Sequence, residues 1–135
     1  MMKSIFAVAF LFSSVSFATT SGYELKVDLS IDGKLISSPR IITIAGEKAS
    51  ISQRIEKSKN GTFIEVIAKD VPDSVPNAIR MDFVVGTIDH DGKKTVLATP
   101  SIITLENEKA MIETTEDNGK SVALSVIPQR KSLQD

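Results

Sequence analysis

Along YELKVDLSI, Tyr23 to Ile31, apolar and polar side chains alternate without a break. Tyr23, Leu25, Val27, Leu29 and Ile31 fall on one face; Glu24, Lys26, Asp28 and Ser30 fall on the other. A period of two predicts a strand with one buried and one wet face. Asp32-Gly33 then predicts a hairpin, because Gly33 accepts the positive φ of a tight primed turn. A second strand is expected from about Leu35 to Ile44, with Pro39 inside it. Proline has no N–H to give to a ladder, so Pro39 belongs at an edge, a bulge or a bend.

The chain then repeats itself. PRIITIAGEKASI, Pro39 to Ile51, returns as PSIITLENEKAMI, Pro100 to Ile112, with eight of thirteen positions identical. Upstream, SIDGKLISSP is matched by TIDHDGKKTVLATP, which pairs Gly33 with Gly92; downstream, Asn60-Gly61 is matched by Asn118-Gly119. Gly46 of the first copy becomes Asn107 in the second. These two residue types adopt the left-handed conformation most readily, so this position is read as a turn that needs φ above zero. Gly33, Gly46, Gly61, Gly92, Asn107 and Gly119 are therefore the expected structural turn positions. The fourth strands are FIEVIAK, Phe63 to Lys69, and SVALSVI, Ser121 to Ile127.

EKASISQRIEKS also fits a short helix, with Ile51 and Ile55 four apart, but its β-branched and shorter counterpart EKAMIETTEDNG favours strand. KDVPDSVPNAIR reads as a connector with one helical turn from Val75 to Arg80. Each unit thus holds four strands, the repeats covering about 23–70 and 79–128. Self-similarity of this kind dictates architecture. Neither copy can bury its apolar face alone, so the expectation is one all-β domain, 19–135. It is a duplicated ββββ unit of about eight strands, in a two-sheet sandwich or a small closed barrel.

The first residues change the picture of where this domain works. MMKSIFAVAFLFSSVSFATT has a basic head at Lys3, an apolar run from Ile5 to Phe12, and Ser16 and Ala18 at the −3 and −1 positions of a cleavage site. That is the layout of a secretory signal peptide, 1–18. The apolar run falls short of the roughly 20 residues that span a bilayer. Periplasmic or secreted localisation after cleavage near Ala18 is expected, with no membrane insertion afterwards. With no cysteine, the domain relies on its core and not on disulfides. A formal charge of −1 leaves no basic footprint for nucleic acid.

Candidate chemistry is sparse. His90 is the only histidine and sits at the tip of IDHDGKK. Asp89, His90 and Asp91 suggest a calcium-loop fragment, but Lys93 and Lys94 oppose a cation, and a polar hairpin tip is favoured. No GxSxG elbow, SxxK pair or Gly-rich phosphate cradle occurs. No enzyme activity, cofactor or metal is expected. The recurring Glu47-Lys48 and Glu108-Lys109 read as solubilising charges or a cross-strand pair.

LATPSIITLENEKAMI, Leu97 to Ile112, resembles a stretch of the secretin family, the outer-membrane pore subunits of type II and type III secretion and type IV pili. Thr99-Pro100, Thr104-Leu105, Asn107 and Ala110 match that family's T-P, T-L, turn and Ala positions, and Ser38 to Ala49 echoes them. The resemblance carries no catalytic or binding residue. What it implies, by analogy, is an envelope- or secretion-linked accessory protein.

The leading expectation is a non-enzymatic binding or assembly module that accepts a strand from a protein partner. Because proline blocks pairing on the strands that carry Pro39 and Pro100, the fourth strand is the expected edge. Phe63, Glu65, Ile67 and Lys69 are its outward positions. Self-assembly into a layer or fibre, or inhibition of an exported hydrolase through KDVPDSVPN, are the alternatives.

Overall fold

The computed structural model describes residues 20–54, 60–71, 75–115 and 119–133. The expected signal segment, 1–18, lies outside them. Among the described residues there are ten strands: β1 (Thr20–Ile31), β2 (Lys34–Ser37), β3 (Arg40–Ile44), β4 (Lys48–Arg54), β5 (Gly61–Asp70), β6 (Ala78–Ile88), β7 (Lys94–Ala98), β8 (Ser101–Leu105), β9 (Ala110–Thr115) and β10 (Ser121–Leu133). Ten replace the expected eight because each proline divides a strand in two. Pro39 separates β2 from β3, and Pro100 separates β7 from β8. Both halves still line one edge, and the proline carbonyl keeps its bond across the gap: Val27 N–H donates to Pro39 at 3.0 Å and Phe83 N–H to Pro100 at 2.9 Å.

Two antiparallel sheets of five strands form an open sandwich, not a closed barrel. The first has the order β2–β1–β10–β9, with β3 continuing the β2 edge; the second has the order β4–β5–β6–β7, with β8 continuing the β7 edge. Each sheet therefore draws strands from both repeats. β1 pairs with β10 along its whole length, and β5 pairs with β6 in the same way. The repeats are interlocked, which is the physical meaning of the duplication.

Inward-facing Leu25, Val27 and Leu29 of β1 and Leu124 and Val126 of β10 meet Ile64 and Val66 of β5 and Met81, Phe83 and Val85 of β6, all at 1% exposure or less. Burying each such side chain contributes on the order of 1.5–3 kcal/mol, so this double layer holds a domain that has no disulfide.

The repeated phrase builds the corner that passes from one sheet to the other, and its hydrogen bonds recur pair by pair. Ala45 N–H donates to Ser21 as Glu106 does to Asn77; Gly46 donates to Ala68 (2.8 Å) as Asn107 does to Pro128 (2.7 Å). Thr43 and Thr104 each turn a hydroxyl back to the carbonyl of Glu47 or Glu108. Gly46 and Asn107 have φ of 83° and 69°, so the substitution keeps the one property the corner needs.

Three expectations need correction. β5 is an interior strand, paired to β4 on one side and β6 on the other. Phe63, Glu65, Ile67 and Lys69 are therefore not on an edge, because interlocking sets the fourth strand of one repeat beside the first strand of the next. Gly61 is not a turn residue with positive φ. It is the buried first residue of β5, and a Cβ there would lie 2.3 Å from the Gln53 carbonyl oxygen. Ala78 to Arg80 belong to β6, where alternating Ile79, Met81 and Phe83 face the core, and not to a helical turn.

Candidate functional site

Four edges can meet a partner, and three are blunted. Pro39 and a bulge between Leu29 and Ser30 interrupt the β2/β3 edge; Pro100 and a bulge between Val85 and Gly86 interrupt the β7/β8 edge. β4 begins with Lys48 and ends with Arg54. Prolines, bulges and cations are the usual protections of edges. β9, AMIETT, has none of them within it, and Lys109, the equivalent of Lys48, stands just before its first residue. It pairs with β10 alone. The bond from Asn107 to Pro128 fixes the parity of that ladder: Ala110, Ile112 and Thr114 address β10, while the peptide groups of Met111 and Glu113 point outward. Met111 is 67% exposed. The same parity explains how Pro128 sits inside a central strand, since its nitrogen faces the corner before β9 begins.

On the outer faces the duplication has made a matched pair of depressions where the prolines part the edge strands. One, of about 330 Å3 on the β5–β6 sheet, is floored by Ile67 and Val84. Its charges are paired. Lys48 Nζ lies 3.6 Å from a Glu65 oxygen, Lys94 reaches the other at 4.0 Å, and Asp82 accepts from Arg80 and Ser101. Hydrogen bonds from Ser101, then from Arg80, hold the Asp82 carboxyl below its ordinary range. The other, of about 310 Å3 on the β1–β10 sheet, is lined by the equivalent residues. Lys109 stands for Lys48, Ser125 for Glu65, Lys26 for Asp82, Asp28 for Val84 and Arg40 for Ser101. Here only Arg40 is paired, to Glu24 at 2.8 Å. Among the described residues no carboxylate lies within ion-pair distance of Lys109 or Lys26.

One end of the sandwich is closed by a polar cluster. Asp70 and Arg130, each two residues beyond the matched acceptors Ala68 and Pro128, meet at 2.9 Å. Arg130 also donates to Glu106 (3.0 Å) and Asn77 (3.1 Å). The Tyr23 hydroxyl donates to Asp70 at 2.5 Å. Burial, and then the neighbouring carboxylate, push the Tyr23 phenol far up; the Tyr23 bond and then Arg130 hold Asp70 down. Equivalent residues that touch lie on a pseudo-twofold, where two identical charges would repel. Divergence to Asp and Arg turns that contact into an ion pair.

Lys94 lies over the Phe63 ring, 5.0 Å from its centre, and the ring packs on Gly86. His90 is exposed at the hairpin tip, where Asp89 accepts from the Lys93 and Asp91 amides at 2.9 Å. Among the described residues no group of three or more His, Cys, Asp or Glu side chains is placed to hold a metal ion. Sequence reasoning expected a strand in EKAMIETTEDNG but missed that β9 is an open edge, and it missed the unpaired Lys109; the recurrence of Glu-Lys without a second Glu65 was the available signal for the latter. In comparisons with known proteins, no family model, curated protein or solved structure matches the chain.

Proposed function

We propose that the chain is an exported, non-enzymatic binding module of the cell envelope that engages a protein partner by accepting a strand along β9. The observation that carries this reading is that, among the described residues, no proline, bulge or cation interrupts the β9 edge from Ala110 to Thr115, while Met111 stands exposed on it. Strand addition draws affinity from the free peptide groups of Met111 and Glu113 and specificity from alternate side chains. The secretin-like stretch, Leu97 to Ile112, builds the Pro100 break, β8, the corner and the start of β9. This supports a secretion-linked partner.

Cross-linked capture from cell envelopes, read by mass spectrometry, tests the proposal when wild type is compared with Glu113→Pro and Glu113→Ala. Proline at position 113 removes an N–H that β10 does not use, so the fold stays intact. A protein captured by wild type and the alanine variant but lost with proline supports the β9 edge. Equal capture by the proline variant refutes it, and capture of nothing but the chain itself replaces the partner with self-assembly.

A further inference from the structure

We propose that the depression on the outer face of the β1–β10 sheet binds a carboxylate, held by Lys109 and Ser125 in the place that Glu65 fills in its twin. The twin is an internal control, since duplication built both depressions from one template. In the β5–β6 copy the lysine of the repeated Glu-Lys phrase has its counter-ion, with Lys48 3.6 Å from Glu65. In the β1–β10 copy the lysine is kept as Lys109, but the glutamate has become Ser125, and a second carboxylate, Asp82, has become Lys26. The exchange loses two acids and gains one, Asp28 for Val84, and leaves Lys109 with no carboxylate at ion-pair distance among the described residues.

Ser125 supplies a second, independent observation. It is only 8% exposed, lines the depression, and its hydroxyl has no hydrogen-bond partner among the described residues. Among the described residues the fully buried side-chain oxygen without a partner is Ser37 Oγ, so the unpartnered Ser125 hydroxyl opens onto the depression. A ligand carboxylate would accept from the Ser125 hydroxyl and the Lys109 ammonium together, a charge-assisted pair stronger than neutral bonds. Asp28 bounds the site on one side and repels a carboxylate bound there. That places the ligand nearer Lys109 than β2. Pro39 and Ile127 give the ligand's carbon body an apolar wall. An acidic side chain of a peptide and a free carboxylic acid share this chemistry. The site does not depend on the β9 edge.

The test is titration of the isotopically labelled full chain, at fixed ionic strength, with glutarate and separately with triglutamate, followed by amide chemical shifts. Saturable shifts at Lys109, Ser125 and Lys26 are expected. Response to glutarate alone identifies a small carboxylate as the ligand, and tighter response to triglutamate identifies an acidic segment. Ser125→Glu restores the twin's internal counter-ion and should abolish binding of both probes. Lys109→Gln should weaken binding about tenfold, Lys109→Arg should retain it, and Glu113→Pro should leave it unchanged. Absence of saturable shifts with both probes, or wild-type binding by Ser125→Glu, overturns the proposal. Should Ser125→Glu fail to fold, Lys109→Gln, on an exposed side chain, decides the matter: undiminished binding overturns it and the tenfold loss supports it.

Discussion

Replacing Arg130 with methionine keeps most of the side chain's apolar stem and removes its charged head. The head bonds Asp70, Glu106 and Asn77 at 2.9 to 3.1 Å, while the backbone bond from Arg130 N–H to Glu106 remains. Buried charge-assisted bonds are worth about 1.5–3 kcal/mol each. These are not fully buried: the Arg130 and Asp70 side chains are 31% and 56% exposed. Solvent screening brings each pair toward the surface range of roughly 0.2–1 kcal/mol. The loss should therefore total about 1–2 kcal/mol, or roughly 3–8 °C in Tm for a domain of this size. Thermal unfolding followed by far-ultraviolet circular dichroism measures it. The pH dependence gives the sharper check. Asp70 titrates below its unfolded value of about 3.9, so its contribution is fully present above that pH and is lost as pH falls through the folded value. Wild type and Arg130→Met should differ most at neutral pH and converge in acid. An unchanged Tm at pH 7, or a gap that persists undiminished at low pH, refutes the reasoning.

Gly86→Ala should cost about 3 kcal/mol or more, because its Cβ would lie 2.0 Å from the Thr95 carbonyl oxygen, which no rotamer can relieve. Gly33→Ala has nothing within 4 Å and carries only the positive-φ cost of about 1–2 kcal/mol; urea titration ranks the two. At Gly46, asparagine should be roughly 1 kcal/mol less costly than alanine, because Asn107 already occupies the equivalent corner at φ 69°. Equal losses for asparagine and alanine would count against the matched corners.

The alternation of Tyr23 to Ile31, the two prolines and the Gly46/Asn107 exchange were legible because each is a local constraint on one strand or turn. Pairing order was not, since it depends on which repeat supplies each neighbour. β5 still carried a clue. Phe63, Ile64, Val66 and Ile67 make it apolar on both faces, as suits a strand with neighbours on each side. Gly61 misled because Asn-Gly is also a turn signal, whereas here glycine serves the close approach of β4. The unpaired state of Lys109 was hidden more deeply. Glu65 and Ser125 are matched only once β5 and β10 are superposed, and those strands share little sequence.

Interlocking of the repeats fixes the free edge and the matched depressions alike, and it is tested most directly by dividing the chain between them. Residues 20–71 and 75–133, prepared separately, should give no cooperatively folded monomer, because each lacks half of both sheets. Mixed in equal amounts, they should assemble into a one-to-one complex with the circular dichroism and cooperative unfolding of the intact chain. A monomeric half that unfolds cooperatively without its partner would contradict the account.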